Sequence, residues 1–377
     1  MNNKDNSLLN ELYAALAQEL DISETMRGKA ERAYTSVGEW IDGDTGQPAD
    51  VFVQGSFALG TVTRSVSGED DDYDIDLVSE LPGMTQFGPR AIKHHVGNRL
   101  KEHGTYAQKL EPEGKRCWTL QFDEFHMDVL PCTPDPTARS MTAITLTNRE
   151  PGGEYTTRSS DPRAYQSWFE RRMGDSLAHA RRRAVGKAYT SVDKVPTFAV
   201  ATPLQMAIRI LKHHRDVMFE GRDDAPISII ITTLAALSYD QQVGVFDTVS
   251  DVLGSMSGHM RREGGLYVIE NPVDPKENFA DRWNTEPWKA RAYFDWVSAA
   301  HRDLVDKPLG SAGIDTLSDG LKGSLSENVV VRAFSRFGNR MYAERRSGAL
   351  RYGTREGITL AASATTVAVP SHRFYGA

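Results

Sequence analysis

The chain has 377 residues, which is longer than one typical domain and predicts two lobes. Hydrophobic residues make up 40% and charged residues 25% of it, so the composition is typical of a globular protein and excludes a largely disordered chain. The net charge of −7 argues against a general nucleic-acid binder, and no stable nucleic-acid partner is expected. The start shows no basic region followed by an apolar run, and no 18-residue apolar stretch occurs, so we expect no membrane association and a cytoplasmic location.

The first part of the chain predicts a mixture of helices and strands. Residues 7–42 are expected to form a helix broken near Asp21, because Asp21 and Glu24 make a D-x-x-E capping box. Beyond them, β-branched and alternating apolar residues predict strands, and a stretch of helical periodicity lies among these. The predicted strands are VFVQGSF (51–57), DYDIDLVSEL (72–81), RCWTLQF (116–122) and FHMDVLP (125–131), and the predicted helix is 88–104. These elements indicate a mixed α/β lobe.

After about residue 160 the pattern becomes helical. Segments with helical periodicity begin with SSDPRAYQSWFERRM and TPLQMAIRILKHHRDVMF and continue to SENVVVRAFSRFGNRMYAE. We therefore predict an N-terminal domain of spine helix and α/β lobe at 1–195, followed by a helical domain at 196–362. The tail at 363–377 lacks clear periodicity and is expected to be loosely held.

Aspartates interrupt two of the predicted strands. Successive side chains of a strand alternate between its faces, so Asp74 and Asp76 point the same way, with their α-carbons about 6.6 Å apart. Asp128 likewise lies opposite the apolar residues of FHMDVLP, where an ionised side chain needs a cation or hydrogen bonds to compensate its burial. Two carboxylates at this spacing can converge on a pair of divalent ions, and a third can complete the site. The sequence therefore predicts that these three aspartates bind metal.

A Gly-Ser pair follows the first predicted strand. Gly55 lets backbone amides approach phosphate oxygens, and the hydroxyl of Ser56 can add one more hydrogen bond. The segment is not a P-loop, because no G-K-[ST] follows it. Taken singly, a Gly-Ser turn, a D-x-D and a strand aspartate are common structural features. Their order along the chain is more specific and predicts a nucleoside triphosphate site beside the metals.

These segments resemble the polymerase-β-type nucleotidyltransferases, and more narrowly the bacterial cGAS/DncV-like nucleotidyltransferases (CD-NTases) of CBASS anti-phage defence. The matching stretches include QGSFALGT, DYDIDLVSEL, FHMDVLP, TPLQMAIRILKHHRDVMF and NPVDPKENFADRW, so the similarity spans most of the chain. The resemblance implies an α+β fold with a polymerase-β-like palm and a helical C-terminal lobe of oligoadenylate-synthetase type, the active site lying in the cleft between them. One departure is the long linker from Thr63 to Tyr73, whose acidic residues are interpreted as a solvated surface insertion.

The resemblance also implies roles for individual residues. Asp74 and Asp76 would bridge two Mg²⁺ ions, with Mn²⁺ as the alternative metal, and Asp128 would complete the site of one ion or act as general base. In the resembled family, a lysine in one helix and a serine at the start of the next contact the donor triphosphate. By motif these positions are Lys212 and Ser228, although an N-cap role is the alternative for Ser228.

Other polar residues receive structural interpretations. His126, His213 and His214 are interpreted as packing or hydrogen-bonding residues rather than as acids, bases or metal ligands. Asp274 and Asn278 are each expected to form an Asx turn.

The implied function is template-independent nucleotidyl transfer. The substrates would be nucleoside triphosphates, with ATP first and GTP or others as further candidates, and the product a cyclic di- or trinucleotide second messenger for anti-phage signalling. The alternatives are transfer to another acceptor, such as an RNA end, a protein or a small molecule, and a non-catalytic nucleotide sensor. The intact set of aspartates argues against the sensor, because a catalytically silent relative could lose one without losing the fold.

The C-terminus SHRFYGA suggests one further partner. Some CBASS operons encode ubiquitin-transfer-like enzymes that join the C-terminal residue of their CD-NTase to targets, and a tail that ends in Gly376-Ala377 would suit this chemistry. An ordinary frayed terminus is the alternative interpretation.

Overall fold

The computed structural model describes residues 6–43, 46, 48–66, 73–185, 196–353, 357–359 and 366–370. Their contacts divide them into two compact units. The sheet unit comprises Asp21–Gln205 and Val268–Asp281, and the helical unit comprises Met1–Leu20, Met206–Tyr267 and Arg282–Ala377. The predicted domain boundaries after residues 195 and 362 are linear divisions of the chain and stay predictions. The predicted acidic insertion at 69–72 and the terminal Gly376-Ala377 lie outside the described residues.

The helices and strands are given in chain order. Within the described residues the α-helices are α1 (Ser7–Glu19), α2 (Glu24–Asp42), α3 (Gly55–Leu59), α4 (Pro89–Glu102), α5 (Gly104–Lys109), α6 (Pro162–Ala184), α7 (Pro203–Met218), α8 (Ser228–Ser238), α9 (Val245–Ser255), α10 (Asp281–Thr285), α11 (Pro287–His301), α12 (Lys307–Gly310), α13 (Ile314–Leu325) and α14 (Glu327–Ser347). The strands are β1 (Asp50–Gln54), β2 (Tyr73–Glu80), β3 (Trp118–Gln121), β4 (Phe125–Pro134), β5 (Ile144–Arg149), β6 (Tyr155–Ser160), β7 (Arg261–Glu263), β8 (Leu266–Val268), β9 (Glu270–Asn271), β10 (Asp274–Asn278), β11 (Arg351–Gly353), β12 (Gly357–Thr359) and β13 (Thr366–Ala368). A π-helical turn at Arg302–Asp306 continues α11.

A mixed sheet forms the centre of the sheet unit. Within the described residues its strands run in the order β1-β2-β4-β5-β6, and β3 pairs with β4 outside this path. β2 and β4 are parallel, whereas the other neighbouring strands are antiparallel. The long strand β4 pairs with β2 along most of its length, with β3 near its start and with β5 at its end. The register of three other strands is therefore set against β4.

One face of this sheet is buried in the main core of the sheet unit. Ile75 and Leu77 of β2 and Met127 and Val129 of β4 point to this face and are fully buried. They pack with apolar residues of α2 and α4, which cover the sheet on this side. Because side chains alternate along a strand, the aspartates of both strands lie on the opposite face.

The N-terminal helical segment breaks where predicted, but its second helix has a different cap. The side chain of Ser23 accepts a hydrogen bond from the backbone N–H of Met26 at 3.2 Å and caps α2. Asp21 instead forms an ion pair with Arg27 at 3.1 Å. The predicted capping box of Asp21 and Glu24 is therefore wrong, because Ser23 stands directly before the helix and takes the N-cap position.

Two features of the sheet unit differ from the sequence prediction. The segment predicted as a strand at 51–57 leaves the sheet after Gln54 and turns into α3. The hairpin of β5 and β6 was not predicted. Half of β6 is exposed and none of it is fully buried, so its sequence YTTRSS lacks the apolar alternation by which a half-buried strand is recognised.

Part of the predicted loose tail is a strand. β13 pairs with β11, and Thr366 is buried there. Arg351 fixes this pairing through two hydrogen bonds. Its Nε donates to Oγ1 of Thr366 at 2.9 Å, and its Nη2 donates to the backbone carbonyl oxygen of Thr366 at 2.7 Å. A strand of three residues is too short to give a periodic signal in the sequence.

The first helix belongs to the helical unit, because its polar side chains bind residues far along the chain. The hydroxyl of Tyr13 donates to the carbonyl oxygen of Leu304 at 2.5 Å. The buried carboxylate of Glu19 accepts hydrogen bonds from Arg332 at 3.2 Å and Arg336 at 2.6 Å. α1 is thereby attached to α14 and its neighbours. None of the described helices is long and apolar enough to cross a membrane.

Two adjacent histidines are buried inside the helical unit. Nε2 of His213 lies 3.1 Å from the carbonyl oxygen of Leu325, and Nε2 of His214 lies 3.6 Å from Oδ2 of Asp303. The structural interpretation of both histidines is therefore confirmed. Burial lowers the pKa of His214 to about 4, and the charge of Asp303 opposes this shift only in part.

We expect the free energy of unfolding to fall by about 2 kcal/mol between pH 7 and pH 5 on account of His214. The unfolded chain binds a proton on this ring below about pH 6.5, whereas the folded protein binds it only near pH 4. Stability is therefore lost as the pH falls through this interval. Urea unfolding at both pH values should show a shallower pH dependence for His214→Gln than for the wild type. The exposed His179→Gln variant is the control, and equal slopes for all three proteins would contradict the assignment.

Candidate functional site

The aspartates of β2 and β4 lie side by side on one face of the sheet. Asp76 and Asp128 are direct partners in the parallel register of these strands. The row extends to Gln54 of β1, which pairs with Asp76, and to Thr119 of β3, which pairs with Asp128. We call these four residues the carboxylate row. Neighbouring strands lie about 4.8 Å apart, so its two carboxylates are within reach of a common ligand.

The third predicted aspartate stands two residues earlier on the same face of β2. Asp74 pairs in register with His126 of β4, and Nδ1 of His126 lies 3.9 Å from Oδ1 of Asp74. The side chain of Asp74 is 76% exposed, so an ion in solvent can reach it. Asp74 therefore occupies the solvent side of the carboxylate row.

Gly55 brings the turn between β1 and α3 into contact with the carboxylate row. Its φ of 64° lies in the left-handed region that glycine adopts without strain. A Cβ atom at this position would overlap with Oδ2 of Asp76. Ser56 follows in the first turn of α3 and is half-buried. Both the backbone conformation and the lack of space thus require glycine at the position before Ser56.

The other end of α3 is held by a buried amide. Gly60 ends the helix with a φ of 66°, and a Cβ atom there would overlap with Nε2 of Gln205. This Nε2 donates to the carbonyl oxygens of Leu59 at 2.8 Å and Thr197 at 3.0 Å. No sequence pattern singled out Gln205. α3 is therefore fixed at both ends, by Gly55 against Asp76 and by Gln205.

Asp128 accepts a hydrogen bond from its cross-strand neighbour. Oγ1 of Thr119 donates to Oδ1 of Asp128 at 2.6 Å. Sγ of Cys117 lies 3.7 Å from the same hydroxyl. Burial and, next, the negative charge of Asp128 raise the pKa of the Cys117 thiol to about 11, so the thiol stays protonated at neutral pH. Thr119 was not among the predicted site residues, and only its alternation with Trp118 and Leu120 signals its side of β3.

The donor set of the three aspartates fits a hard divalent cation. Carboxylate oxygens are the protein ligands that Mg²⁺ and Mn²⁺ prefer. In the part of the chain that the structure describes, no three His, Cys, Asp or Glu side chains already converge as a complete metal site. Asp74 would have to turn from His126 toward Asp76 and Asp128 to share an ion with them. Its exposure leaves room for this rotation.

The two predicted phosphate contacts that came from the family resemblance lie in the helical unit. Lys212 of α7 is 4% exposed, and Ser228 is the first residue of α8. The hydroxyl of Ser228 accepts a hydrogen bond from Nη1 of Arg215 at 3.2 Å. Ile227 is the N-cap residue of α8, so the alternative N-cap interpretation of Ser228 is wrong by one position. The other predicted site residues lie in the sheet unit.

Two Asx turns lie in and just after β10, as predicted. Oδ1 of Asp274 accepts from the N–H of Lys276 at 3.2 Å, and Oδ1 of Asn278 accepts from the N–H of Ala280 at 2.9 Å. Asn278 also accepts from the N–H of Ile269 at 2.9 Å. These two residues therefore shape the backbone of β10 and of its connection to α10.

The chain is similar to known nucleotide synthases. Residues 8–172 match the family described as the Second Messenger Oligonucleotide or Dinucleotide Synthetase (SMODS) domain. The chain is 27% identical over 337 residues to a c-di-GMP synthase of Roseivirga ehrenbergii, and the aligned residues cover 86% of each protein. It is 24% identical over 369 residues to the cyclic dinucleotide synthase CdnG of Bradyrhizobium diazoefficiens, and the aligned residues cover 88% of this chain and 84% of that protein.

Solved structures show the same fold. The CD-NTase CdnG of Bradyrhizobium diazoefficiens in complex with GTP aligns with a TM-score of 0.68 at 22% identity, over 88% of this chain and 99% of that one. The GTP-bound form of DncV from Vibrio cholerae aligns with a TM-score of 0.53 at 16% identity, over 85% of this chain and 87% of that one. The predicted α+β fold with a mixed sheet and a helical lobe is thereby confirmed.

Proposed function

We propose, because the chain belongs to the bacterial CD-NTases, that this nucleotidyltransferase makes a cyclic dinucleotide and that GTP is its favoured substrate. Both curated relatives are named as cyclic dinucleotide synthases, one of them as a c-di-GMP synthase, and the structure of CdnG contains GTP. The observation in this chain that carries the proposal is the in-register pairing of Asp76 with Asp128, with Asp74 on the same face and Gly55 against Asp76.

Metal ions are part of the proposed chemistry, because members of this family are generally metal-dependent. Asp74, Asp76 and Asp128 are the residues that would hold two Mg²⁺ ions, or Mn²⁺ in their place. When bound, such ions neutralise phosphate charge and lower the pKa of an attacking ribose hydroxyl.

The chain's own residues would position the donor nucleotide. The hydroxyl of Ser56 donates to a phosphate oxygen, and Gly55 leaves room for the triphosphate to approach the carboxylate row. Lys212 would contribute positive charge toward the β and γ phosphates, and Ser228 a further hydrogen bond. Asp128 would accept the proton of the attacking hydroxyl, directly or through water.

The proposed reaction consists of two successive nucleotidyl transfers. The acceptor ribose oxygen forms a bond to the α-phosphorus of the donor, and the bond to the bridging oxygen breaks, so that pyrophosphate leaves. Repetition of the same step within the linear intermediate closes the ring and releases a second pyrophosphate. Catalysis by this chain therefore consists mainly of positioning and charge stabilisation.

One product assay tests the proposal. Purified protein is incubated with labelled ATP, GTP, CTP or UTP and Mg²⁺ or Mn²⁺, treated with phosphatase and separated by chromatography. We expect a phosphatase-resistant product that contains label from GTP, and none from the double variant Asp74→Ala, Asp76→Ala. Absence of this product with the wild type, or its persistence in the double variant, would refute the proposal. Label found on an added RNA, protein or small molecule would instead favour transfer to another acceptor.

The biological setting is proposed on the family alone. The cyclic product would act as a second messenger in CBASS anti-phage signalling within the cytoplasm, and ubiquitin-transfer-like enzymes would act on the C-terminal residue Ala377. Deletion of residues 375–377 in an operon that carries such enzymes should then reduce phage protection. Unchanged protection would exclude this role of the tail.

A further inference from the structure

We infer that Thr119 is a positioning residue for Asp128, holding one carboxylate oxygen so that the other is directed toward Asp76. This inference rests on the proposed function, because it assigns Asp128 to a metal site. The contact that supports it is the hydrogen bond of 2.6 Å from Oγ1 of Thr119 to Oδ1 of Asp128.

The sheet topology fixes the direction of this hydrogen bond. β2 and β3 pair with β4 from opposite sides, so Asp76 and Thr119 flank Asp128 within the carboxylate row. Oδ1 of Asp128 is engaged on the β3 side. The second oxygen, Oδ2, is bonded to the same carbon, so fixing Oδ1 on the β3 side limits the orientations that the carboxylate can take toward its other neighbour, Asp76.

Threonine is well suited to this task. Its branched Cβ restricts the side-chain rotamer on a strand, so the hydroxyl is presented with little conformational freedom. A hydroxyl that donates to an ionised carboxylate forms a charge-assisted hydrogen bond, which is stronger than one between neutral groups. Hydrogen bonds of this kind orient metal-binding carboxylates, and their loss typically weakens metal affinity by about 10-fold to 100-fold.

Three substitutions separate this role from a purely structural one. Thr119→Val keeps the shape and β-branching of the side chain but removes the hydroxyl. Thr119→Ser keeps the hydroxyl and should restore the wild-type behaviour. Thr157→Val on the exposed part of β6 is the matched control, because it makes the same chemical change in the same sheet away from the carboxylate row.

The test is a titration with Mn²⁺ alone, in which electron paramagnetic resonance measures the free ion, and it needs no turnover. We expect Thr119→Val to raise the dissociation constant about tenfold, with Thr119→Ser within about twofold of the wild type and Thr157→Val unchanged. Asp128→Asn serves as the reference for a lost ligand. The half-saturating Mg²⁺ concentration for product formation should rise in parallel in Thr119→Val, while kcat at saturating Mg²⁺ changes less.

The outcomes distinguish the inference from the function on which it rests. If the wild type binds Mn²⁺ saturably and Asp128→Asn weakens this binding, but Thr119→Val binds as the wild type does, the role of Thr119 is refuted and the metal site stands. If the wild type shows no saturable Mn²⁺ binding, the proposed metal site fails, and the role of Thr119 fails with it. Weakening in both Thr119→Val and Thr119→Ser would also overturn the inference, because it would trace the effect to packing rather than to the hydroxyl.

Discussion

Replacement of Asp76 by asparagine is expected to slow product formation by about a thousandfold or more. Asp76 occupies the middle of the carboxylate row, between Gln54 and Asp128. Oδ2 of its carboxylate occupies the space that a Cβ atom on Gly55 would need. Asparagine has nearly the same shape but lacks the negative charge that would hold a cation. The change should therefore remove metal-assisted catalysis and leave the fold intact.

The measurement is the rate of cyclic product formation at saturating substrate and Mg²⁺, together with thermal unfolding of the same protein. Asp123→Asn is the matched control, because Asp123 lies in the turn between β3 and β4 with a fully exposed side chain. The control should retain the wild-type rate. A rate within tenfold of the wild type in Asp76→Asn would show that Asp76 is not a metal ligand in this reaction.

Replacement of Gly55 by alanine is expected to lower the rate of product formation by about a hundredfold. Two costs combine at this position. A positive φ costs alanine about 1–2 kcal/mol relative to glycine, and the new Cβ atom would displace the carboxylate of Asp76. Because that carboxylate is the end of a short side chain, it moves more easily than the backbone, so activity should suffer more than stability.

Gly153→Ala isolates the first of these costs. Gly153 also has a positive φ, 83°, in the same unit, but nothing lies within 4 Å of a Cβ atom built there. Its alanine variant should lose stability comparable to Gly55→Ala and keep full activity. An equal loss of activity in Gly55→Ala and Gly153→Ala would contradict the proposed contact.

The strands that carry the site could be predicted from the sequence, because each has one clearly apolar face. Alternation in DYDIDLVSEL is enough to place Asp74 and Asp76 on one side of β2, and the same holds for Asp128 in FHMDVLP. That β2 and β4 are parallel neighbours, with Asp76 beside Asp128, depends on pairing between segments about 50 residues apart. No local pattern specifies such a pairing.

The supporting residues were not predicted for a related reason. Thr119 acts through one side-chain hydrogen bond across the β3–β4 hairpin, and Gln205 acts through two, one of them to the distant Leu59. No sequence motif marks a residue that acts through such a hydrogen bond. Their own surroundings in the sequence are those of an ordinary strand and of an ordinary helix start. The resemblance to a family directed attention to Lys212 and Ser228 instead, and both remain predictions.

The dependence of three strands on β4 limits how the gene can change by insertion and deletion. Side chains alternate with a period of two, so one residue gained or lost between Phe125 and Asp128 would carry the aspartate into the apolar core and bring Met127 or Val129 to the solvent side. The same change in the turn at Asp123 and Glu124 alters the hydrogen-bonded turn between Phe122 and Phe125 but leaves the alternation within β4 unchanged. Length variation among descendants of this protein should therefore collect in such turns, while the spacing from the start of β4 to its aspartate stays constant.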